Sequence, residues 1–135
     1  MQWPSITGGY LAILALIYAA LAINVVRLRR QNRAAFGDAD NPSLRSAIRA
    51  HAHFAEYVPI IALMVAMLEM SGMPGWRVHL LMAALVVSRA LHPFGMYAKP
   101  GTTAFRIGRV TGVTLTLLVL VASAVAILSR ALGGT

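Results

Sequence analysis

Residues 6–26 of the chain read ITGGYLAILALIYAALAINVV, an apolar run that contains no charged residue and ends at Arg27. A helix rises about 1.5 Å per residue, so a run of this length crosses the hydrocarbon core of a bilayer, which is ~30 Å thick. Inside that core every backbone polar group needs a partner within the protein, and the run has no alternating strand pattern. It therefore predicts a membrane-spanning helix.

Three further apolar runs along the chain have the same character. Helix-breaking residues separate them: Ser71-Gly72-Met73-Pro74-Gly75 follows the second run, and Lys99-Pro100-Gly101 precedes the fourth. In the first connector Asn41-Pro42 begins a turn, and we expect Ser43 to cap the second helix. The sequence thus predicts one all-α domain over residues 1–135, an integral membrane four-helix bundle with spans at about 6–26, 47–70, 78–91 and 110–128.

The composition agrees with a membrane protein and excludes several other classes. Of the 135 residues 59% are hydrophobic and 12% are charged, and the mean hydropathy is +0.71. A soluble domain has about 45–50% apolar and about 25% charged residues. The net charge of +8 therefore does not indicate a nucleic-acid-binding module, because too little polar surface remains for a soluble one. Cysteine is absent, so any thiol chemistry must use a thiol that a ligand supplies.

The basic residues are divided unequally between the two ends of the predicted helices. Arg77 and Arg130 lie at the end that carries the chain termini. The other ten basic residues lie at the opposite end: Arg27, Arg29, Arg30, Arg33, Arg45, Arg49, Arg89, Lys99, Arg106 and Arg109. Loops rich in Lys and Arg remain in the cytoplasm. We therefore expect a multi-pass protein with both termini outside the cytoplasm.

Polar residues also gather at the basic ends of the predicted helices. Arg49, His53 and Glu56 are spaced i, i+4 and i+7, which stacks them on one face of the second helix. The other helices carry pairs that are three residues apart, namely Asn24 with Arg27, Arg89 with His92, and Arg106 with Arg109. Charge inside a span is costly and is usually paired or functional. We expect the four groups to meet in one polar pocket.

The residue types in this predicted pocket indicate the chemistry of its ligand. Several arginines suit a ligand with carboxylates, which guanidinium groups hold in a bidentate manner. The lone acid Glu56 suits an ammonium or amide group on the same ligand. The arginines would repel a divalent cation, so we expect no metal site. A structural ion pair between Arg49 and Glu56 is an alternative for that helix, and we expect Glu69, near the other end, to face lipid headgroups.

Residues 49–59, RAHAHFAEYVP, closely resemble the second-helix signature of the MAPEG superfamily, the membrane-associated proteins in eicosanoid and glutathione metabolism. That signature reads Arg-Ala-His, one variable residue, usually Asn, two more residues and Glu. The resemblance continues through Arg27-Leu28-Arg29, Arg89-Ala90-Leu91-His92 and Arg106-Ile107-Gly108-Arg109. The chain looks most like the small bacterial members of the superfamily.

The resemblance implies a homotrimer in a bacterial inner membrane, with the co-substrate glutathione bound between subunits near the cytoplasmic face. A lipophilic small molecule would be the second substrate, and the reaction would be thioether conjugation or hydroperoxide reduction. Arg106 is the residue expected to stabilise the glutathione thiolate, with Arg109 as the alternative. The residues expected to bind or support glutathione are Arg27, Arg49, His53, Glu56, Arg89, His92, Tyr97 and Arg109.

Two departures from the family pattern leave other functions open. His53 stands where the signature usually has Asn, and Ala52 stands where some eukaryotic members have an arginine that grips glutathione. These differences favour a binding or structural membrane protein without turnover as one alternative. A small proton-coupled transporter is the other, since an intramembrane carboxylate such as Glu56 can carry protons.

Overall fold

A computed structural model describes residues 3–99 and 101–133, and four long helices account for most of them. These are α1 (Ser5–Gln31), α2 (Pro42–Met70), α3 (Gly75–Tyr97) and α4 (Thr103–Leu132). Each is long and apolar enough to cross a membrane. The predicted all-α membrane four-helix bundle is therefore confirmed. Pro100 and the chain termini lie outside the described residues. The predicted side of the membrane for the termini therefore stays a prediction.

The helices extend beyond the apolar runs that predict them. The third run, 78–91, lies inside α3, which continues to Tyr97, and the fourth run begins at 110 although α4 begins at Thr103. The added residues include the polar groups His92, Arg106 and Arg109. Hydropathy marks only the apolar part of a helix, so the predicted spans stop short of these polar ends, which the i, i+3 spacing of their residues assigned to the helices.

The start of α2 differs in detail from the expected one. Asn41, and not Ser43, is the cap: its side-chain Oδ1 accepts hydrogen bonds from the backbone N–H groups of Ser43 at 2.9 Å and Leu44 at 3.0 Å. Pro42 occupies the first helical position, where a missing N–H costs nothing, so the residue before it becomes the cap. In the same connector the Arg45 guanidinium donates to Asp38 and holds the pKa of that carboxyl below its usual range.

Apolar side chains from all four helices form the core of the bundle. α2 and α3 supply most of them, and α1 and α4 each close one side. The buried members are Leu14, Phe54, Val58, Ile61, Val65, Val78, Met82, Leu85 and Val119. Large apolar residues such as Leu16, Leu63 and Leu118 point outward. Such an outer surface suits a protein whose solvent is lipid.

Two glycines allow α3 and α4 to approach each other with their backbones in contact. A Cβ built on Gly95 would lie 2.9 Å from the Cα of Arg109, and one built on Gly108 would lie 3.0 Å from the carbonyl oxygen of Leu91. At this crossing α4 is a π-helix over Arg106–Thr111. In a π-helical turn the backbone hydrogen bonds span five residues and not four, so the turn is wider than an α-helical one. This turn lies directly against α3.

Glu69, near the C-terminal end of α2, binds the first turn of α1 and does not simply face headgroups as expected. Its carboxylate accepts hydrogen bonds from the backbone N–H of Ile6 and Thr7, both at 2.9 Å, and from the Thr7 hydroxyl at 2.6 Å. Pro4 precedes α1 and offers no side-chain cap. A carboxylate there satisfies free N–H groups and interacts favourably with the helix dipole.

Replacing Gly95 or Gly108 with alanine should destabilise the bundle, because the added methyl group would overlap the backbone of the neighbouring helix. We expect a loss of about 3 kcal/mol, which corresponds to a fall in melting temperature on the order of 10 °C for a chain of this length. Thermal unfolding of the detergent-solubilised protein measures it. Gly9→Ala is the matched control, since a Cβ at Gly9 meets nothing within 4 Å. Unchanged melting of Gly108→Ala would contradict the close crossing.

The cap that Glu69 provides to α1 predicts a second effect on stability. Glu69→Gln removes the charge and one acceptor oxygen, and should cost about 1–2 kcal/mol, in the range of helix caps and charge–dipole interactions. Asp40→Asn makes the same charge change at an exposed connector residue and should have little effect. The two variants are compared by thermal unfolding in the same detergent. Equal stability of Glu69→Gln and the unmodified protein would show that the contact contributes nothing.

Candidate functional site

The predicted site residues all lie at one end of the bundle. The long helices alternate in direction, so the C-terminal ends of α1 and α3 lie beside the N-terminal ends of α2 and α4. Direct contacts link three of these ends, because Arg89 of α3 bonds to both α2 and α4. The predicted clustering at one end is thus present, although the groups do not all face one pocket.

Arg89 lies inside the bundle and is only 2% exposed. Its guanidinium donates to the carbonyl oxygens of His53 in α2 and Gly112 in α4, both at 3.4 Å. It also donates to the hydroxyls of Ser88, at 3.3 Å, and Thr116. A buried guanidinium is tolerated when its donors have partners. Arg89 therefore links α2, α3 and α4 inside the bundle and fixes the backbone of His53 relative to the other two helices.

His92 is the second buried polar side chain of this region, also 2% exposed. Its ring stands edge-on to that of His53, with the centroids 5.1 Å apart. Within the described chain neither of its ring nitrogens has a hydrogen-bond partner. Buried polar atoms in folded proteins nearly always have a partner, which makes this imidazole unusual. Both of its nitrogens are available for a further hydrogen bond beside His53.

The predicted stripe on α2 is present on an open face of the helix. Glu56 has 57% of its side chain exposed, and His53 has 24%. The carboxylate Oε2 of Glu56 lies 3.8 Å from Nδ1 of His53. The alternative ion pair of Glu56 with Arg49 is absent from the described part of the chain, residues 3–99 and 101–133. Seven residues separate them along the axis by about 10 Å, and His53 lies one turn from the acid.

Arg27 and Tyr97 lie on another side of the same end, joined through Asn24. The Arg27 guanidinium donates to Oδ1 of Asn24 at 3.0 Å, and Nδ2 of Asn24 donates to the hydroxyl of Tyr97 at 2.8 Å. Arg27 and Tyr97 are both exposed. This chain of bonds links α1 to α3 and holds the Tyr97 hydroxyl in place.

Arg106 and Arg109 face different surroundings, although α-helical spacing predicted one face for both. Arg106 lines a surface groove of about 370 Å³ with Thr103, Ile107 and Val110. The Arg109 guanidinium lies 5.3 Å from the centre of the Phe105 ring and does not line that groove. The cause is the π-helical turn over Arg106–Thr111, since hydrogen bonds from i to i+5 rotate side chains away from α-helical register.

Three residues that contact the site were not found from the sequence. Tyr57 stacks its ring parallel to that of His53, with the centroids 6.1 Å apart. Ser88 and Thr116 hold the guanidinium of Arg89. The signal available for Ser88 was its position next to Arg89, whereas Thr116 is one of several hydroxyl residues in the fourth run. The structure thus brings together His53, Glu56, His92 and Arg89. The contacts of Arg106, of Arg109 and of the pair Arg27 and Tyr97 lie outside this cluster.

Comparison with known proteins agrees with this architecture. The inner membrane protein YecN of Escherichia coli strain K12 is 37% identical over 90 residues, which cover 67% of this chain and 69% of that protein. YecN of Escherichia coli O6:H1 matches to the same extent. No solved structure gives a significant match. The model of the MAPEG family matches residues 7–129, and the chain therefore belongs to the MAPEG family.

Proposed function

We propose that this chain is a glutathione-dependent enzyme of a bacterial inner membrane. It forms the thiolate of glutathione and transfers it to a lipophilic electrophile, or uses it to reduce a hydroperoxide. Membership of the MAPEG family supports the substrate class, since the family includes glutathione transferases and peroxidases. The relative YecN is an inner membrane protein, which supports the inner membrane as the location.

One observation carries the proposal: the charged stripe of α2 is open to the outside of the chain. Arg49 and Glu56 are exposed on a helix long and apolar enough to cross a membrane. Charges that face lipid are costly and normally face a cavity or a partner. A ligand with both carboxylates and an ammonium group satisfies both signs of charge. Glutathione has two carboxylates, one ammonium group and two amides.

A second copy of the chain would complete the site. No residue of the α2 stripe lines the groove at Arg106, so within one subunit the two do not share a pocket. In a homotrimer the α2 face of one subunit can meet another subunit's surface, and the bound tripeptide lies between them. This assembly also covers the exposed charges from lipid.

The reactive sulfur comes from the ligand, because the chain has no cysteine. A thiol reacts as its thiolate, which nearby cations stabilise. Arg106 begins the π-helical turn near the start of α4, where the positive end of the helix dipole adds to the charge of the guanidinium. Arg106 is the proposed stabilising group, and Arg109 is the alternative.

The lipophilic substrate has a route from the bilayer. An apolar groove of about 580 Å³ runs between α1 and α2 and is open at the surface of the chain. Its lining includes Phe54 and Ala55, which lie between His53 and Glu56 in sequence, and Tyr18 of α1. An electrophile that partitions into lipid can approach the charged stripe along this groove.

The assignment of the thiolate-stabilising residue can be tested by conjugation of glutathione to an activated aryl chloride in detergent. Arg106→Ala should lower kcat/KM about 100-fold, which is typical for the loss of one electrostatic group at a developing or stabilised anion. Arg30→Ala removes an equal charge from the exposed end of α1 and should leave the rate unchanged. Arg109→Ala tests the alternative.

Equal rates for the unmodified protein and Arg106→Ala would remove Arg106 from the mechanism. If only Arg109→Ala were slow, Arg109 would be the group that stabilises the thiolate. Calorimetric binding of glutathione without turnover in the unmodified protein would support the non-catalytic alternative, and no binding at all would contradict the proposed function.

A further inference from the structure

His53 has the geometry of a catalytic base that a carboxylate supports. Its Nδ1 faces Oε2 of Glu56 at 3.8 Å, a distance longer than a hydrogen bond but within ion-pair range. Glu56 lies one turn further along the same helix, so the two side chains share a face. A neutral imidazole with its proton on Nδ1, toward the carboxylate, carries the free lone pair on Nε2.

The position of His53 is fixed from three directions. Its carbonyl oxygen accepts from the buried guanidinium of Arg89 at 3.4 Å. Its ring is stacked on Tyr57, with an interplanar angle of 9°, and meets the edge of His92. About a quarter of the side chain stays exposed, so a ligand can reach the ring. A group that transfers protons needs this combination of fixed orientation and access.

The charges around His53 come from every helix that packs against it with a titratable group. Glu56 and Arg49 lie on α2, Arg89 and His92 on α3, and Arg109 on α4. The single carboxylate favours an imidazolium, whereas the guanidinium groups oppose one and favour an anion. A proton on the ring is therefore favoured mainly when a thiolate lies beside it. The cluster is therefore suited to a pair made of an imidazolium and a thiolate.

We propose that His53 is the base that removes the thiol proton of glutathione, with Glu56 as the positioning residue for its ring. The inference rests on the proposed function and adds a residue that Arg106 cannot replace, since an arginine side chain stays protonated and cannot accept the proton. The structure supports the step by the pairing of His53 with Glu56, its access, and its guanidinium neighbours.

Transfer of the thiol proton to His53 precedes the attack of sulfur on the electrophile. The lone pair of Nε2 takes the proton of the S–H group, which leaves a thiolate and an imidazolium. The thiolate then attacks the carbon of an aryl chloride, the S–C bond forms, and the C–Cl bond breaks with release of chloride. The imidazolium finally gives its proton to water, which restores the neutral ring.

The pH dependence of kcat/KM for conjugation of glutathione to an activated aryl chloride tests the base directly. In the unmodified protein the rate should rise with the titration of an imidazole. His53→Asn keeps a polar side chain with a donor and an acceptor, although a smaller one, and it cannot titrate. The rise should therefore move up by about two pH units, the difference between ordinary imidazole and thiol pKa values. At neutral pH the rate should fall about 100-fold.

His51→Asn is the matched control. It makes the same substitution two residues earlier on α2, where the His51 ring stacks on Tyr18 with the centroids 4.6 Å apart. Its profile should match that of the unmodified protein. A His53→Asn profile that also matches would overturn the proposal.

A second measurement separates failure of the base from failure of the proposed function. Ultraviolet absorption reports the thiolate that forms when glutathione binds, and an indicator dye reports protons released to the buffer. The unmodified protein should release clearly less than one proton per thiolate, because His53 retains it, and His53→Asn should release one. One proton per thiolate in both proteins would overturn the base and leave the function standing. Absence of any thiolate in the unmodified protein would overturn both.

Glu56 has its own readout as the positioning residue. The nitrogen chemical shifts of the His53 ring should report the proton on Nδ1 in the unmodified protein. In Glu56→Gln they should report a mixture of the two tautomers, while the fold stays intact. Identical shifts in both proteins would contradict the positioning role.

Discussion

The buried guanidinium of Arg89 is the interaction on which the rest of the site depends. A charge inside a membrane bundle is costly unless each donor has a partner, and here the partners come from three helices. This requirement fixes two backbone carbonyls relative to α3. One belongs to His53 in α2, and the other to Gly112 in α4, directly after the π-helical turn. The position of the exposed stripe on α2 therefore follows from one satisfied charge behind it.

The close approach of α3 and α4 has the same kind of consequence. Gly95 and Gly108 let the two backbones touch, and at that place α4 adopts a π-helical turn. The turn separates the directions of Arg106 and Arg109, so that Arg106 lines an outer groove and Arg109 lies over the ring of Phe105. Close packing of two glycines thus accompanies the different surroundings of these two arginines.

The sequence predicted the membrane bundle, the family and the end at which the polar groups gather, because apolar run length and helix alternation determine them. It did not predict details that depend on distant contacts. Glu69 caps α1 across more than 60 residues of sequence, and spacing along α2 alone cannot indicate this. The π-helical turn likewise depends on the contact with α3. Arg89 was expected to bind the ligand, and only the three-dimensional arrangement reveals that its donors are occupied within the protein.

We propose that the open stripe of Arg49, His53 and Glu56 holds glutathione against a second copy of the chain. The most direct measurement is an experimental density map of the purified protein in lipid nanodiscs with glutathione. The account predicts three subunits, with tripeptide density between neighbours in contact with Glu56 and His53. A map in which these side chains face lipid, with no cavity between chains and no peptide density, would contradict it.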